Sequence, residues 1–122
     1  MRKEQRLRTS NDFGAVRAAR RTWSDRLLVL CTRPNGLDGT RFGFSVGRRV
    51  GIAVRRNKIK RRLREVATHT QIGDGWDVVV IARKGASDAD FAALESSLVY
   101  LLSKAGISAS TADNSVSHKA TP

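Results

Sequence analysis

The chain has 122 residues, of which 40% are hydrophobic, enough for one compact core and too few for two. Its 23 lysine and arginine residues outnumber 11 acidic residues, and the net charge of +12 predicts a polyanionic partner. There is neither an apolar run of about 18 residues nor a basic helix with an aromatic-rich opposite face, so we expect no membrane partner. The N-terminal MRKEQRLRTSNDF has no apolar stretch behind its charges, so we expect no secretory signal.

The first part of the chain predicts a short helix and two strands. SNDFGAVRAAR places Phe13 and Val16 at helical spacing, with Ser10 or Asn11 as the N-cap. RLLVLCTR and RFGFSV have the composition of strands, and the turn residues of PNGLDGT between them predict a hairpin. The only cysteine, Cys31, lies in the first of these strands, which indicates a buried thiol in a reducing compartment.

Residues 53–69 form the most basic segment, AVRRNKIKRRLREVATH. At about 100° per residue, one side of a helix carries Ile59, Leu63, Val66 and Ala67, with Ile52 beside them. The other side carries Asn57, Lys60, Arg61, Arg64 and Thr68, while Arg56 and Arg62 flank the apolar stripe. Like charges at i,i+4 cost roughly 0.2–0.5 kcal/mol per pair, and here they recur without relief. The pattern predicts a phosphate-binding surface, because guanidinium groups match phosphate oxygens.

The strand before this helix extends the basic surface. RFGFSVGRRVGIAV carries Arg41, Arg48 and Arg49. Phe42 and Phe44 lie on one face of that strand, where they either stack on bases or pack in the core.

The last part of the chain predicts a strand and a helix. WDVVVIA is typical of a central strand. SDADFAALESSLVYLLSKAGI predicts a helix that starts at a Ser or Asp and ends at Gly106. Its apolar face consists of Phe91, Leu94, Leu98, Leu101 and Leu102. Residues 108–122 have the composition of a disordered tail with no packed role.

The sequence offers no catalytic constellation for a protein nuclease, so we expect no catalytic residue and no metal site in the chain. Such an enzyme needs a positioned base and acid or a carboxylate metal cluster. The two histidines, His69 and His118, do not form a plausible pair, and the acids form no Mg²⁺ motif. Asp74 and Asp77 have the setting of turn and strand-edge residues.

The basic segment resembles the R-N-x-x-K-R-x-x-R signature of the bacterial ribonuclease P protein subunit. Arg56, Asn57, Lys60, Arg61 and Arg64 fill that pattern. RLRTSNDFGAV is similar to the family's first helix, GFSVGRRVGIAVRRN to the strand leading into its basic helix, and DVVVIARKGAS to its last strand and the following turn. The three motifs follow in the family's order and spacing, from Arg6 to about Gly106.

The resemblance implies an α+β fold, a single-domain α/β sandwich of order αβββαβα that is ribosomal protein S5 domain 2-like. Its four-stranded sheet would be mixed, with a left-handed βαβ crossover through the basic helix, although general rules favour the right-handed connection. The domain would span residues 1–107, followed by the tail 108–122.

The resemblance also implies a function: an RNA-binding subunit that assists a catalytic RNA in endonucleolytic removal of the 5′ leader from precursor tRNA. The expected partners are ribonuclease P RNA and precursor tRNA, with no small-molecule substrate, in the cytoplasm. The chemistry would use Mg²⁺ held by the RNA and not by a protein site. The RNA-binding residues would be Arg48, Arg49, Arg56, Asn57, Lys60, Arg61 and Arg64.

The family holds the single-stranded leader in a cleft between the first helix and the sheet. The residues at cleft positions are Phe13, Arg17, Val29, Cys31 and Ser45. Arg17 and Cys31 stand where the family often has aromatic residues, which implies that the charge of Arg17 replaces some of the stacking.

Two other classes of protein fit parts of the sequence. The alternative is a general or ribosomal basic RNA-binding protein without a processing role. A helix-based DNA-binding module is the second, but its recognition face should mix base-reading Asn, Gln or Ser with cations. Only Asn57 meets that requirement.

Overall fold

The computed structural model describes residues 6–7, 9–19 and 21–107. The elements in chain order are α1 (Ser10–Ala18), β1 (Arg21–Ser24), β2 (Leu28–Pro34), β3 (Arg41–Val46), α2 (Ala53–His69), β4 (Trp76–Ala82) and α3 (Phe91–Lys104). Two 3₁₀ turns, Arg48–Val50 and Lys84–Asp88, follow β3 and β4. The predicted order αβββαβα is therefore confirmed, while the predicted tail, 108–122, lies outside the described residues. No helix within the described ranges is long and apolar enough to cross a membrane.

The four strands form one mixed sheet in the order β1-β2-β4-β3. β2 pairs antiparallel with β1 and β4, and β3 pairs parallel with β4. The predicted hairpin between β2 and β3 is wrong, because β4 lies between them. The turn residues do fold locally: the Asn35 side chain accepts from Leu37 N at 2.7 Å and donates to the Gly39 carbonyl at 3.0 Å. These residues reverse the chain, but they do not determine which strand pairs with β2.

The crossover from β3 to β4 runs through α2, which packs its predicted apolar stripe on the sheet. Ile59, Leu63, Val66 and Ala67 are all buried. Ile52 is 75% exposed, so its predicted place beside the stripe is wrong. It precedes the helix with an extended backbone (φ −70°, ψ 166°), and the helical periodicity does not reach it. The left-handed sense of the crossover stays a prediction.

α3 packs beside α2 on the same face of the sheet. The Asp90 carboxylate caps its start by accepting from Ala93 N at 2.9 Å, and Gly106 ends it with φ +76°. The predicted leucines Leu94, Leu98, Leu101 and Leu102 are buried, and Phe91 packs half-buried against them. On the sheet, the rings of Phe42 and Phe44 stack 5.8 Å apart within this core. Core packing is therefore the correct interpretation for this pair of rings.

α1 covers part of the opposite face of the sheet. Its N-cap is Thr9, one or two residues before the predicted cap, and the Thr9 hydroxyl accepts from Asp12 N at 3.1 Å. Val16 is fully buried against Cys31 and Val79. The prediction of a buried cysteine is confirmed. The two faces of the sheet thus carry two separate cores, and each core positions one candidate surface.

Candidate nucleic-acid interface

The outer side of α2 is a continuous basic surface. Asn57, Arg61 and Thr68 are exposed, whereas Lys60 and Arg64 are half-buried. The side-chain ion pairs found among the described residues all involve Asp77, so none of them neutralises a cation of α2. Among the described residues, the predicted basic residues are therefore brought together with no ion-paired acid, which leaves their charge available to an external anion.

Arg48 and Arg49 lie at the start of this surface. Both are exposed on the 3₁₀ turn Arg48–Val50, which Val50 anchors in the core with 4% of its surface exposed. The second 3₁₀ turn packs beside the first, and its exposed Lys84 was not predicted as a site residue. In the sequence, the basic pair Arg83 and Lys84 at the end of DVVVIARK indicated this additional cation. Together these cations continue the α2 surface around the ends of β3 and β4.

Two arginines of α2 are held in place by contacts to their own domain. Arg56 donates from Nε to the Gly51 carbonyl at 3.1 Å. The guanidinium carbon of Arg64 lies 5.9 Å from the centre of the Phe44 ring. Burial lowers the pKa of Arg64, and the positive charge of Arg6 lowers it further. These arginines lose less side-chain freedom on binding than exposed ones would.

The second surface is a cleft between α1 and the other face of the sheet. The strand register places Val29, Ile81 and Ser45 side by side across β2, β4 and β3, all half-buried. Phe13 packs on the same apolar cluster from α1. Val29, Ser45 and Phe13 are predicted cleft residues. Ile81 was not predicted, although its alternation with Val79 along β4 indicated which face it occupies.

The remaining predicted cleft residues have different environments. Arg17 is exposed on α1. Cys31 faces the same side of the sheet but is only 5% exposed, and its sulfur accepts from the Thr22 hydroxyl at 3.8 Å. It therefore contributes to the apolar support beneath the cleft. The Phe13 ring lies directly against the Gly43 backbone, where no side chain stands in its way.

A buried acid on this face changes the interpretation of one arginine. Asp77 is fully buried, and both of its oxygens accept from Arg41, at 2.8 and 2.7 Å. Asn35 Nδ2 donates to the same carboxylate at 3.0 Å, and Arg33 lies 3.5 Å away. Burial alone would raise the pKa of Asp77, but these hydrogen bonds and charges lower it. Arg41 is therefore engaged by an internal acid and faces α1, so its predicted place in the basic surface is wrong.

The setting inferred for Asp77 is also corrected. It lies within an interior strand, directly after its first residue, and has no exposed surface. Asp74 is exposed in the preceding turn, as expected. Within the described ranges, no three His, Cys, Asp or Glu side chains form a group that could hold a metal ion. The described carboxylates thus do not provide a fit for Mg²⁺.

A small α+β sandwich with an uncompensated arginine-rich helix on one face defines a basic protein that binds phosphate-containing polymers. The Ribonuclease P family model matches residues 1–106. The ribonuclease P protein components of Herpetosiphon aurantiacus and Roseiflexus castenholzii are 40% and 41% identical, covering 86% and 88% of this chain and 87% and 90% of theirs. The solved RNase P proteins of Staphylococcus aureus and Thermotoga maritima match with TM-scores of 0.78 and 0.75 and identities of 33% and 36%. Those matches cover 84% and 81% of this chain and 96% of each of those chains. This chain belongs to the ribonuclease P protein family.

Proposed function

We propose that this chain is the RNA-binding protein subunit of ribonuclease P and assists its catalytic RNA in endonucleolytic removal of the 5′ leader from precursor tRNA. The observation that carries this proposal is the α2 surface, a row of arginines and lysines that no acid neutralises among the described residues. A protein tolerates such repulsion where a polyanion offsets it on binding. Membership of the ribonuclease P protein family supports ribonuclease P RNA as that polyanion.

The two surfaces would divide the recognition between them. Arg56, Lys60 and Arg61 on α2, together with Arg48 and Arg49, would contact phosphates of ribonuclease P RNA. Asn57 lies among them and offers an amide that can donate and accept hydrogen bonds at a base edge. The cleft on the opposite face, with Phe13 and Val29, would hold a single-stranded segment, since aromatic rings stack on unpaired bases. This cleft would take the leader of precursor tRNA, which mature tRNA lacks.

The chain would contribute binding and positioning, while the bond-breaking chemistry would belong to the RNA. Holding the leader in the cleft and the RNA on α2 aligns the substrate with the RNA's own reactive site. In the assembled enzyme, Mg²⁺ held by the RNA would supply the activated nucleophile and charge stabilisation. We place this activity in the cytoplasm, where precursor tRNA is made in bacteria.

Reconstituted cleavage tests the proposal. Precursor tRNA is incubated with bacterial ribonuclease P RNA at low magnesium concentration, with and without the chain, and the cleavage rate is measured. The chain should raise the rate, and Arg61→Gln should raise it less at protein concentrations near the dissociation constant. Arg26→Gln is the matched control, because Arg26 is an exposed arginine in the turn between β1 and β2. A general RNA-binding protein would bind the RNA and leave the cleavage rate unchanged.

A further inference from the structure

A basic residue outside α2 lies at the outer edge of the sheet. Arg6 pairs with Phe42 in a parallel β-bridge, and Leu7 N donates to the Phe42 carbonyl at 2.8 Å. The short segment 6–7 therefore continues the sheet beyond β3, which is otherwise an edge strand. This pairing fixes the position of Arg6 relative to the two helices.

The alternation of side chains determines the face on which Arg6 lies. Leu7 is 6% exposed and packs with Val16, Cys31 and Val79 beneath α1. Neighbouring side chains of an extended segment point to opposite faces. Arg6 must then lie on the α2 side, the side on which its bridge partner Phe42 packs.

Arg64 approaches the same place from α2. Its guanidinium carbon lies 5.9 Å from the Phe44 ring centre, and that ring stacks on Phe42 at 5.8 Å. Its Nε is buried and has no hydrogen-bond acceptor among the described residues. The pKa of Arg64 is lowered first by burial and then by the charge of Arg6, which places the two cations within electrostatic reach of each other.

Arg6 is exposed and Arg64 is half-buried, and two cations near each other repel. The ion pairs of the described residues include neither of them. With a phosphate between them, the attraction of each cation to the phosphate would outweigh their mutual repulsion. Its oxygens can accept from both guanidinium groups, while the stacked rings of Phe42 and Phe44 keep one side of the site dry. Arg64 Nε would then gain the acceptor that the described residues do not give it.

We propose that Arg6 and Arg64 together bind one phosphate of RNA at the outer edge of β3, so that the RNA surface extends from α2 onto the N-terminal segment. This inference rests on the proposed function, since it takes ribonuclease P RNA as the polyanion. Its geometry is independent of the cleft, which lies on the other face of the sheet.

The test measures affinity of the full chain for ribonuclease P RNA across a salt series. The variants are Arg6→Gln, Arg64→Gln and the double variant, with Arg26→Gln as the control for the loss of one positive charge. Because one phosphate is shared, the double variant should lower the log-log salt slope by roughly 0.7 to 0.9, the value of one contact. Arg6→Lys should retain most of the affinity. Thermal unfolding checks folding, and exposed Arg6 can be replaced without disturbing the core.

Three outcomes would overturn the inference. If Arg6→Gln does not differ from Arg26→Gln in RNA affinity, Arg6 does not contact RNA. If the salt slope of the double variant falls by twice the value of one contact, the two arginines bind separate phosphates. If Arg61→Gln also leaves RNA binding unchanged, the whole α2 surface fails and the proposed function fails with it. A loss with Arg61→Gln and none with Arg6→Gln removes only the shared phosphate site.

Discussion

Gly43 determines how the Phe13 ring lies in the cleft. A Cβ at this position would lie 2.7 Å from Phe13 Cε2 and closer still to Cζ, so a side chain and the present ring position are incompatible. We predict that Gly43→Ala displaces the ring, destabilises the fold by about 1–3 kcal/mol and weakens binding of the precursor tRNA leader. Chemical denaturation and leader affinity measure the two effects.

The control for this prediction is Gly47→Ala, the same substitution directly after β3. A Cβ at Gly47 would meet no atom within 4 Å, and its φ of −80° suits any residue. Adding Phe13→Leu to Gly43→Ala should recover part of the lost stability, because the smaller side chain leaves room for the methyl group. Equal stability of Gly43→Ala and Gly47→Ala would contradict the contact.

For single residues, the sequence predicts burial and contacts only where these depend on residues close by in the chain. The stripe Ile59, Leu63 and Val66 follows from helical periodicity alone, and the structure buries all three. The contact between Phe13 and Gly43 joins residues 30 positions apart, so no local pattern indicates it. Ile52 shows that a local pattern can also mislead. Its spacing fits the helical periodicity, but its backbone is extended and lies outside the helix.

The Asp77 carboxylate connects three strands. Arg33 approaches it from β2 and Arg41 from β3, while Asp77 itself is the second residue of β4. Breaking a buried charge pair typically costs about 3–5 kcal/mol, and because Arg41 is 27% exposed we expect less, about 2–3 kcal/mol, for Asp77→Asn at neutral pH. Equilibrium unfolding measures this loss. Asp74→Asn, in the exposed turn, is the control.

The same network gives a pH dependence with a definite sign. The pKa of Asp77 is lowered in the folded state, so its stabilisation is complete above the unfolded-state value near 3.8 and is lost as pH falls through the folded-state value. The wild-type chain should lose stability steeply in acid, and Asp77→Asn should lose less. Asp25 contributes in the same direction, because hydrogen bonds from Ser97, Leu28 and Leu27 outweigh its burial and lower its pKa. An unchanged acid slope in Asp77→Asn would contradict this role.

Strand pairing is where the local sequence misleads. PNGLDGT has the residues of a hairpin turn, and Asn35 does organise a turn there. Its amide also donates to Asp77, a residue of the strand that separates β2 from β3. The partner of a strand is decided by long-range packing, here by α2 carrying the chain across to place β4 between them. The local sequence predicted the three helices and the strands β2, β3 and β4, but it predicted neither β1 nor the strand neighbours.

Considered as a whole, the molecule places its two candidate surfaces on opposite faces of one thin sheet. β4 contributes side chains to the cores on both faces of the sheet. Val78 and Val80 pack towards α2 and α3, while Val79 and Ile81 face α1. The basic helix was recognisable from charge alone, and its exposed face agrees with that prediction. The cleft required both the resemblance and the fold, because α1, β2 and β3 contribute to it from distant parts of the chain.

The cleft carries two kinds of interaction that salt distinguishes. A stacked aromatic is worth on the order of 1 to 3 kcal/mol and is little screened, whereas a phosphate contact of an exposed cation weakens as ions are added. Phe13 is half-buried with its ring against Gly43, and Arg17 is exposed one helical turn later. We therefore predict that Phe13→Ala weakens precursor tRNA binding at all salt concentrations and Arg17→Ala mainly at low ionic strength.

The measurement is the affinity of the reconstituted RNA-protein complex for precursor and mature tRNA across a salt series. Phe91→Ala controls for the loss of a half-buried aromatic. Phe91 is the first residue of α3 and packs against the core on the face of the sheet opposite α1. Neither cleft variant should change the affinity for mature tRNA, which has no leader to occupy the cleft. An equal loss for the two tRNAs would place the effect outside the cleft. A salt-independent loss with Arg17→Ala would instead mean that its guanidinium plane stacks on a base, because stacking survives where a screened phosphate contact does not.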